Sequence, residues 1–346
     1  MKKKSAARRE EQHRPPPPEP YPSLLYSYDA GNKTQLFCSI LNTKETYSRR
    51  IPELRNRALW ATYHGWWCLY SGSERRHILW NPVTLEKITL PWVPEYDIDY
   101  CIWTCPPSEP GCLVVLFTNC TCILYCEIGD EMWTSCPYYD ELKRSLQEGG
   151  QWALAEMEED NALLIQPVLC GGNLYAIVLS DYDHWESMPL VKIEIQRDSL
   201  RHSLKIESLN VYLPSTTPFG AAKRIYLMES CGDLFTVEIQ AKHESGIALQ
   251  VIAIEIHRLS FSKKEWLKVE TAKDRAFFLP ISIFYQAISS PAINPDIANR
   301  VYFSLFGEKN LYSYNIEDGT VSVFSSFPNL PRVLPCSPVW VMPDLR

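Results

Sequence analysis

The sequence predicts an all-β fold: a single β-propeller of about six four-stranded blades, preceded by a short disordered N-terminal arm. Three observations predict it. From Leu24 onward, short apolar-alternating runs rich in Tyr, Trp, Val and Ile are separated by Gly, Asn, Asp and Pro turns. A unit of apolar strand, polar turn and aromatic or apolar strand recurs along the chain. A second unit, a small or polar residue leading into an aromatic or aliphatic pair, precedes most copies of the first. Two paired units per repeat give four strands per repeat, the sequence pattern of propeller blades. One such sheet cannot cover both of its faces alone, and stacking sheets around an axis buries them. Aromatic residues, 12% of the chain, suit the wedge between blades. A two-sheet sandwich of this length would need very long sheets and ranks second.

Residues 1–22 stand apart. Lys2, Lys3, Lys4, Arg8, Arg9 and Arg14 against Glu10 and Glu11 give residues 1–14 a charge of +4, within a chain of net charge −7, so the remainder carries −11. Pro15 to Pro18, Pro20 and Pro22 follow. The arm has almost nothing to bury. It reads either as a solvated tail or as a nuclear-import or acidic-partner tag. The propeller is assigned residues 23–346.

The six hairpins fall at residues 36–47 around Asn42, 78–90 around Asn81-Pro82, 123–133 around Gly129-Asp130, 191–209 around Arg197-Asp198, 254–269 around Ser262-Lys263, and 311–324 around Asp318-Gly319. The second unit appears at Gly65-Trp66-Trp67, Gly172-Asn173-Leu174-Tyr175, Gly232-Asp233-Leu234-Phe235 and Arg300-Val301-Tyr302-Phe303. Residues 140–150 read as a helix, with Asp140 as its cap, Leu142 and Leu146 on one face, and Gly149 closing it. Residues 50–58 are expected to add a short turn.

Taken in order, several of these segments resemble the plant KIB-type β-propeller family, which is commonly found behind an F-box. Tyr63-His64-Gly65-Trp66-Trp67 is similar to its His-Gly-Trp strand, and Leu79-Trp80-Asn81-Pro82-Val83-Thr84 with Leu90-Pro91 to its Asn-Pro-x-Thr turn and Leu-Pro exit. Gly172-Asn173-Leu174-Tyr175-Ala176 resembles its mid-chain glycine strand. Tyr226-Leu227-Met228-Glu229-Ser230-Cys231-Gly232-Asp233-Leu234 resembles its Tyr-Leu-Val-Glu-Ser-x-Gly-Asp-Leu pattern. The resemblance implies a non-catalytic client-recognition propeller of a plant ubiquitin ligase. It marks His64, Gly65, Trp66, Asn81, Pro82, Gly172, Glu229, Gly232, Asp233 and Leu234 as motif residues with structural roles. An F-box helical segment beginning Leu-Pro-x-Asp-Leu is not read ahead of the first blade. Docking to a Skp-type adaptor then has no evident basis, and a free-standing regulator is the expectation.

The chemistry points the same way. The acidic balance argues against a nucleic-acid grip. Glycine is scarce at 14 residues, which argues against phosphate-cradling loops. The longest apolar stretch, residues 112–126, is interrupted by Thr118, Asn119 and Thr121, so no membrane span is read. The N-terminus lacks the apolar middle of a signal peptide, and an intracellular place, cytoplasmic or nuclear, follows with free thiols. Cys101, Cys105, Cys112, Cys120, Cys122, Cys126 and Cys136 cluster without a Cys-x-x-Cys pair, so neither metal nor cofactor is expected. His64 is either a channel base or a structural residue, and the family motif favours structure. Asn81 is expected to hold its own turn. The enzymatic alternative is a propeller glycan hydrolase with channel carboxylates, for which Glu156, Glu158, Glu159 and Asp160 look instead like a solvated acidic turn.

Binding would sit on the longest irregular stretches, residues 92–112, 138–162, 180–190 and 210–224. Their aromatics Trp92, Tyr96, Trp103, Tyr182, Trp185 and Phe219 are the candidate contacts for a protein client. The alternative is that several simply tuck over the blade edges.

Overall fold

Six sheets carry the chain in the computed structural model, which describes residues 12–16, 21–27, 29, 31–41, 46–94, 96–151, 155–159, 162–179, 188–198, 201–214, 222–243, 249–283, 285–292, 294–305, 308, 310–326 and 338–342. Each sheet is one blade of a six-bladed β-propeller. Blade 1 has the order β25-β1-β2-β3, with β1 at Ser23–Ser27, β2 at Gln35–Ser39, β3 at Thr46–Arg49 and β25 at Val339–Val341. Blade 2 is β4 (Ala58–Tyr63), β5 (Trp66–Ser71), β6 (Arg76–Trp80) and β7 (Lys87–Trp92). Blade 3 is β8 (Ile98–Trp103), β9 (Leu113–Thr118), β10 (Cys122–Glu127) and β11 (Thr134–Pro137). Blade 4 is β12 (Leu163–Cys170), β13 (Asn173–Leu179), β14 (Pro189–Asp198) and β15 (Arg201–Tyr212). Blade 5 is β16 (Ala222–Ser230), β17 (Asp233–His243), β18 (Leu249–Ser260) and β19 (Glu265–Lys268).

Blade 6 departs from the four-stranded expectation. Its order is β21-β20-β22-β23-β24, with β20 at Arg275–Leu279, β21 at Ile288–Pro291, β22 at Arg300–Ser304, β23 at Asn310–Asn315 and β24 at Val321–Ser326. Here β20 and β22 run parallel, and the short β21 folds back antiparallel on β20. Each of the six hairpins read from the sequence is the pair formed by the last two strands of a blade. Asn42, the centre of the first, lies outside the described residues.

The burial pattern explains the composition. The middle strands β9 and β10 bury both faces and read as apolar runs, with Val114 to Phe117 and Ile123 to Cys126 all buried. Last strands such as β3 and β11 face solvent on one side and alternate.

The chain divides into two compact units. The first, residues 1–94, 105–112 and 272–346, holds blades 1, 2 and 6. One core lies between blades 6 and 1, where Phe278 stacks on Tyr302 at 5.2 Å and meets Trp340 edge-on at 5.0 Å. The Trp340 indole N–H donates to the Leu279 carbonyl (3.0 Å), and the Trp340 carbonyl accepts from the Thr62 hydroxyl (3.1 Å). One residue of β25 thereby ties three blades. A second core joins blades 1 and 2 through Leu25, Phe37, Leu59, Trp67, Leu69 and Trp80. Burying each such side chain is worth about 1.5–3 kcal/mol. On the opposite side of blade 2, His77 has no exposed surface and lies 5.6 Å from Trp60 and 4.8 Å from Tyr70, ring centre to ring centre. The expected short turn at residues 50–58 is a 3-10 helix, Pro52–Leu54.

The second unit, residues 95–104 and 113–271, holds blades 3, 4 and 5. Gln166 sits at a bulge in β12 with φ of 51°. Its side-chain carbonyl accepts the Leu227 N–H (2.6 Å), and its amide donates to the Ile225 carbonyl, so one buried side chain satisfies two backbone groups of β16. The expected helix is α1, Tyr139–Glu148, with Leu142 and Leu146 fully buried and Gly149 at its C-cap. The cap is a correction: Tyr138 occupies the N-cap without a side-chain bond, and Asp140 lies inside the first turn. There its charge faces the positive end of the helix dipole, which stabilises the turn without capping it. The helix lies along β15. The Ile206 N–H donates to Glu141 Oε1 (3.2 Å), and the Ser208 N–H to Ser145 Oγ (2.7 Å).

Candidate functional site

The motif residues of the first unit build two turns. Tyr63 pairs with Trp66, which leaves His64-Gly65 as a two-residue hairpin turn with φ of 50° and 74°. Two positive φ values make a type I′ turn, whose twist matches its strands and whose second position suits glycine. His64 therefore occupies the turn itself, with its ring 4.0 Å from that of Tyr63, and Trp66 enters the core beside it. Asn81 holds the turn between β6 and β7. Its Oδ1 accepts from the N–H groups of Val83 (2.9 Å) and Thr84 (3.0 Å), its own N–H donates to the Glu86 carbonyl (3.0 Å), and its carbonyl accepts from Leu85 (2.8 Å). Pro82 presets the backbone at the first corner.

The second unit repeats the device. Gly171-Gly172 lies between paired Cys170 and Asn173, with φ of 55° and 75°. Cys231-Gly232 lies between paired Ser230 and Asp233, with φ of 51° and 85°. The Glu229 carboxylate accepts the Gly232 N–H at 2.6 Å, Asp233 pairs with Arg258 at 3.5 Å, and Leu234 is fully buried. Glu229, Gly232, Asp233 and Leu234 of this run thus each hold a local contact or turn position. The neighbouring turns touch, since the Cys170 thiol donates to the Gly232 carbonyl at 3.3 Å. Burial pushes that thiol up to about 11, so it stays protonated at neutral pH.

The aromatic candidates separate. Trp92 ends β7 and is 49% exposed, with the Arg75 guanidinium 5.8 Å above its ring. Arg75 is held in turn by the Pro94 carbonyl (3.4 Å). Tyr96 is half-buried. Trp103 is a correction: it is fully buried on β8, where Trp103 pairs with Val114. The stretch 92–112, read as irregular, contains that strand, and the indole fills the core of blade 3. Tyr182, Trp185 and Phe219 lie outside the described residues.

Other exposed apolar residues were not singled out from the sequence. Leu41, Val83, Leu85, Met132 and Phe261 sit at or beside the last hairpin turn of their blades, and Val321 and Val323 lie on β24. Large apolar side chains next to turn residues were the available signal. In the cysteine cluster, burial pushes the thiols of Cys122 and Cys136 up. Cys122 Sγ and Ser135 Oγ lie 3.0 Å apart. Among the described residues, no group of three or more His, Cys, Asp and Glu side chains is placed to hold a metal ion. Glu159 takes a hydrogen bond from the Thr121 hydroxyl (2.8 Å). No helix among the described residues is long and apolar enough to cross a membrane.

A family model described as the KIB1-4 beta-propeller matches residues 37–325. An F-box protein of Arabidopsis thaliana is 21% identical over 302 residues, covering 84% of this chain and 68% of that protein. Among solved structures, oligogalacturonate lyase from Vibrio parahaemolyticus is similar at 10% identity and a TM-score of 0.43, covering 89% of this chain and 79% of that one. YCF48 bound to D1 peptide is similar at 8% identity and a TM-score of 0.38, covering 89% and 82%. Likenesses this distant carry no argument about activity.

Proposed function

Because the chain belongs to the KIB1-4 β-propeller family, we propose that it is a non-catalytic protein-interaction propeller that recognises client proteins, as the client-recognition domains of F-box proteins of ubiquitin ligases do. The observation that carries this reading is the family match over residues 37–325 together with similarity to an F-box protein along most of the chain. The motif residues support it. The polar motif residues His64, Asn81, Glu229 and Asp233 are engaged in holding turns or strand ends. The propeller takes in residues 23–346, and the basic, proline-rich arm of residues 1–22 does bury one side chain near its end, Tyr21, which packs into the core between blades 6 and 1 and accepts the Asn294 N–H at its hydroxyl (2.8 Å). The protein works inside the cell, in cytoplasm or nucleus. Its client surface includes Trp92, a rigid aromatic anchor whose ring is braced by Arg75.

The test is affinity purification of the full chain from plant tissue, with Trp92→Ala run beside it and proteins identified by mass spectrometry. The reading expects proteins that are recovered with the native chain and depleted with the variant. Skp-type adaptor and cullin among the native chain's partners would establish the ligase role, and their absence would make the propeller a stand-alone regulator. An identical protein set from both chains would remove Trp92 from the client surface.

A further inference from the structure

The last strand of a sheet exposes unpaired N–H and C=O groups, and proteins guard such edges with charge, proline, shortness or a cover. Five of the six last strands here are guarded. In blade 1, β3 has four residues and ends at Arg49, beyond which the Arg50 N–H is taken by the Gln12 carbonyl (2.7 Å). In blade 2, β7 carries Lys87 and Pro91, with Lys87 paired to Glu53 at 2.8 Å. In blade 3, β11 has four residues and ends at Pro137. In blade 4, α1 covers β15 and fills two of its N–H groups from Glu141 and Ser145. In blade 5, β19 has four residues and carries Glu265 and Lys268.

Blade 6 is the exception. β24, Val321–Ser326, has six residues with no charge and no proline. Val321 and Val323 point the same way and are 42% and 56% exposed. Phe324 turns inward and meets Tyr302 edge-on at 4.9 Å, which anchors the strand. Ser322 is tied to Ser313, so the strand is held on its β23 side. No hydrogen bond reaches its backbone from a described residue outside blade 6.

We propose that β24 is an acceptor edge for an extended, uncharged segment of another polypeptide, which adds to blade 6 as a further strand. The edge amides dictate a β-strand as occupant. The exposed Val321 and Val323 call for small or β-branched apolar residues at every second position of that strand. The uncharged edge offers an incoming Lys or Glu no partner. Area argues against a second copy of this chain: one six-residue strand pair covers far less than the roughly 800 Å² per partner of a stable interface. A peptide, held mainly by its backbone, needs less. This surface is separate from the Trp92 surface, and either can fail without the other.

The test uses the full chain and an uncharged synthetic octapeptide alternating threonine and valine, with a lysine–valine octapeptide as control. The readout is amide hydrogen exchange of residues 320–326. The proposal expects exchange there to slow at least fivefold at millimolar threonine–valine peptide, with little change for the charged peptide. Val323→Lys should abolish the slowing, and Val323→Thr, nearly isosteric, should keep it. Exchange that stays unchanged with the peptide, or that slows equally in Val323→Lys, overturns the proposal. Protection of residues 320–326 that rises with protein concentration alone would give the edge to a second copy and also overturn it.

Discussion

His77 should make this protein sensitive to mild acid. Its imidazole is buried with no exposed surface, and its two ring nitrogens have no hydrogen-bond partner among the described residues. Burial pushes its pKa down from 6.5 to about 3. The unfolded chain binds a proton as pH falls below about 6.5, and the folded chain does not until about pH 3. Unfolded protein therefore binds more protons across this window, and stability is lost as pH falls through it. The loss from this one group is about 2 kcal/mol at pH 5 and about 3 kcal/mol at pH 4. Replacing His77 with Phe keeps a ring between Trp60 and Tyr70 and removes the titrating group. Urea unfolding of both proteins at pH 7.5 and pH 5 isolates the effect, because every other titrating group is common to both. The native chain should lose about 2 kcal/mol more than His77→Phe between the two conditions. Equal losses would refute the reasoning and mean that the imidazole reaches water or a partner in solution.

Two further substitutions probe the second unit. Gln166→Leu should cost about 2–4 kcal/mol, since it orphans the buried Leu227 N–H and Ile225 carbonyl together, and denaturant unfolding reads it directly. Glu238→Gln should cost about 3–5 kcal/mol by leaving the Lys223 ammonium, 3.1 Å away and almost fully buried, without its counter-charge. The double change to Met at Lys223 and Leu at Glu238 should recover most of that in a thermal melt, and a double variant no more stable than the single one would argue against it.

What was legible in the sequence was what is local. All six last hairpins could be read because their turns are chemically marked, by Asn81-Pro82 and Asp318-Gly319 among others. Glu229 and Asn81 could be read as motif residues because each satisfies backbone groups within three residues of itself. Long-range pairing left no such mark. The parallel contact of β20 with β22, the return of β25 to β1, and the seating of α1 on β15 depend on where distant segments meet. The extra strand of blade 6 leaves little trace in the sequence: Ile288–Pro291 is short, ends in proline and gains its partner only from β20. Trp103 falls in a stretch that reads as irregular, yet its register opposite Val114 sends it inward. His77 carried no signal at all, since a histidine between apolar residues reads the same whether wet or dry.

The return of β25 to β1 has a consequence for how the protein is made. Leu24 and Trp340 are partners in one sheet although more than three hundred residues separate them in the chain. On the ribosome, blade 1 must wait with β1 open while every other blade is synthesised. A message truncated anywhere before Val339 would yield a chain whose first blade never closes. It would also lack the Trp340 indole that bonds to Leu279 and the carbonyl that Thr62 bonds to. Such products would display an unpaired β1 edge, so closure of the first blade waits for the strand that carries Trp340.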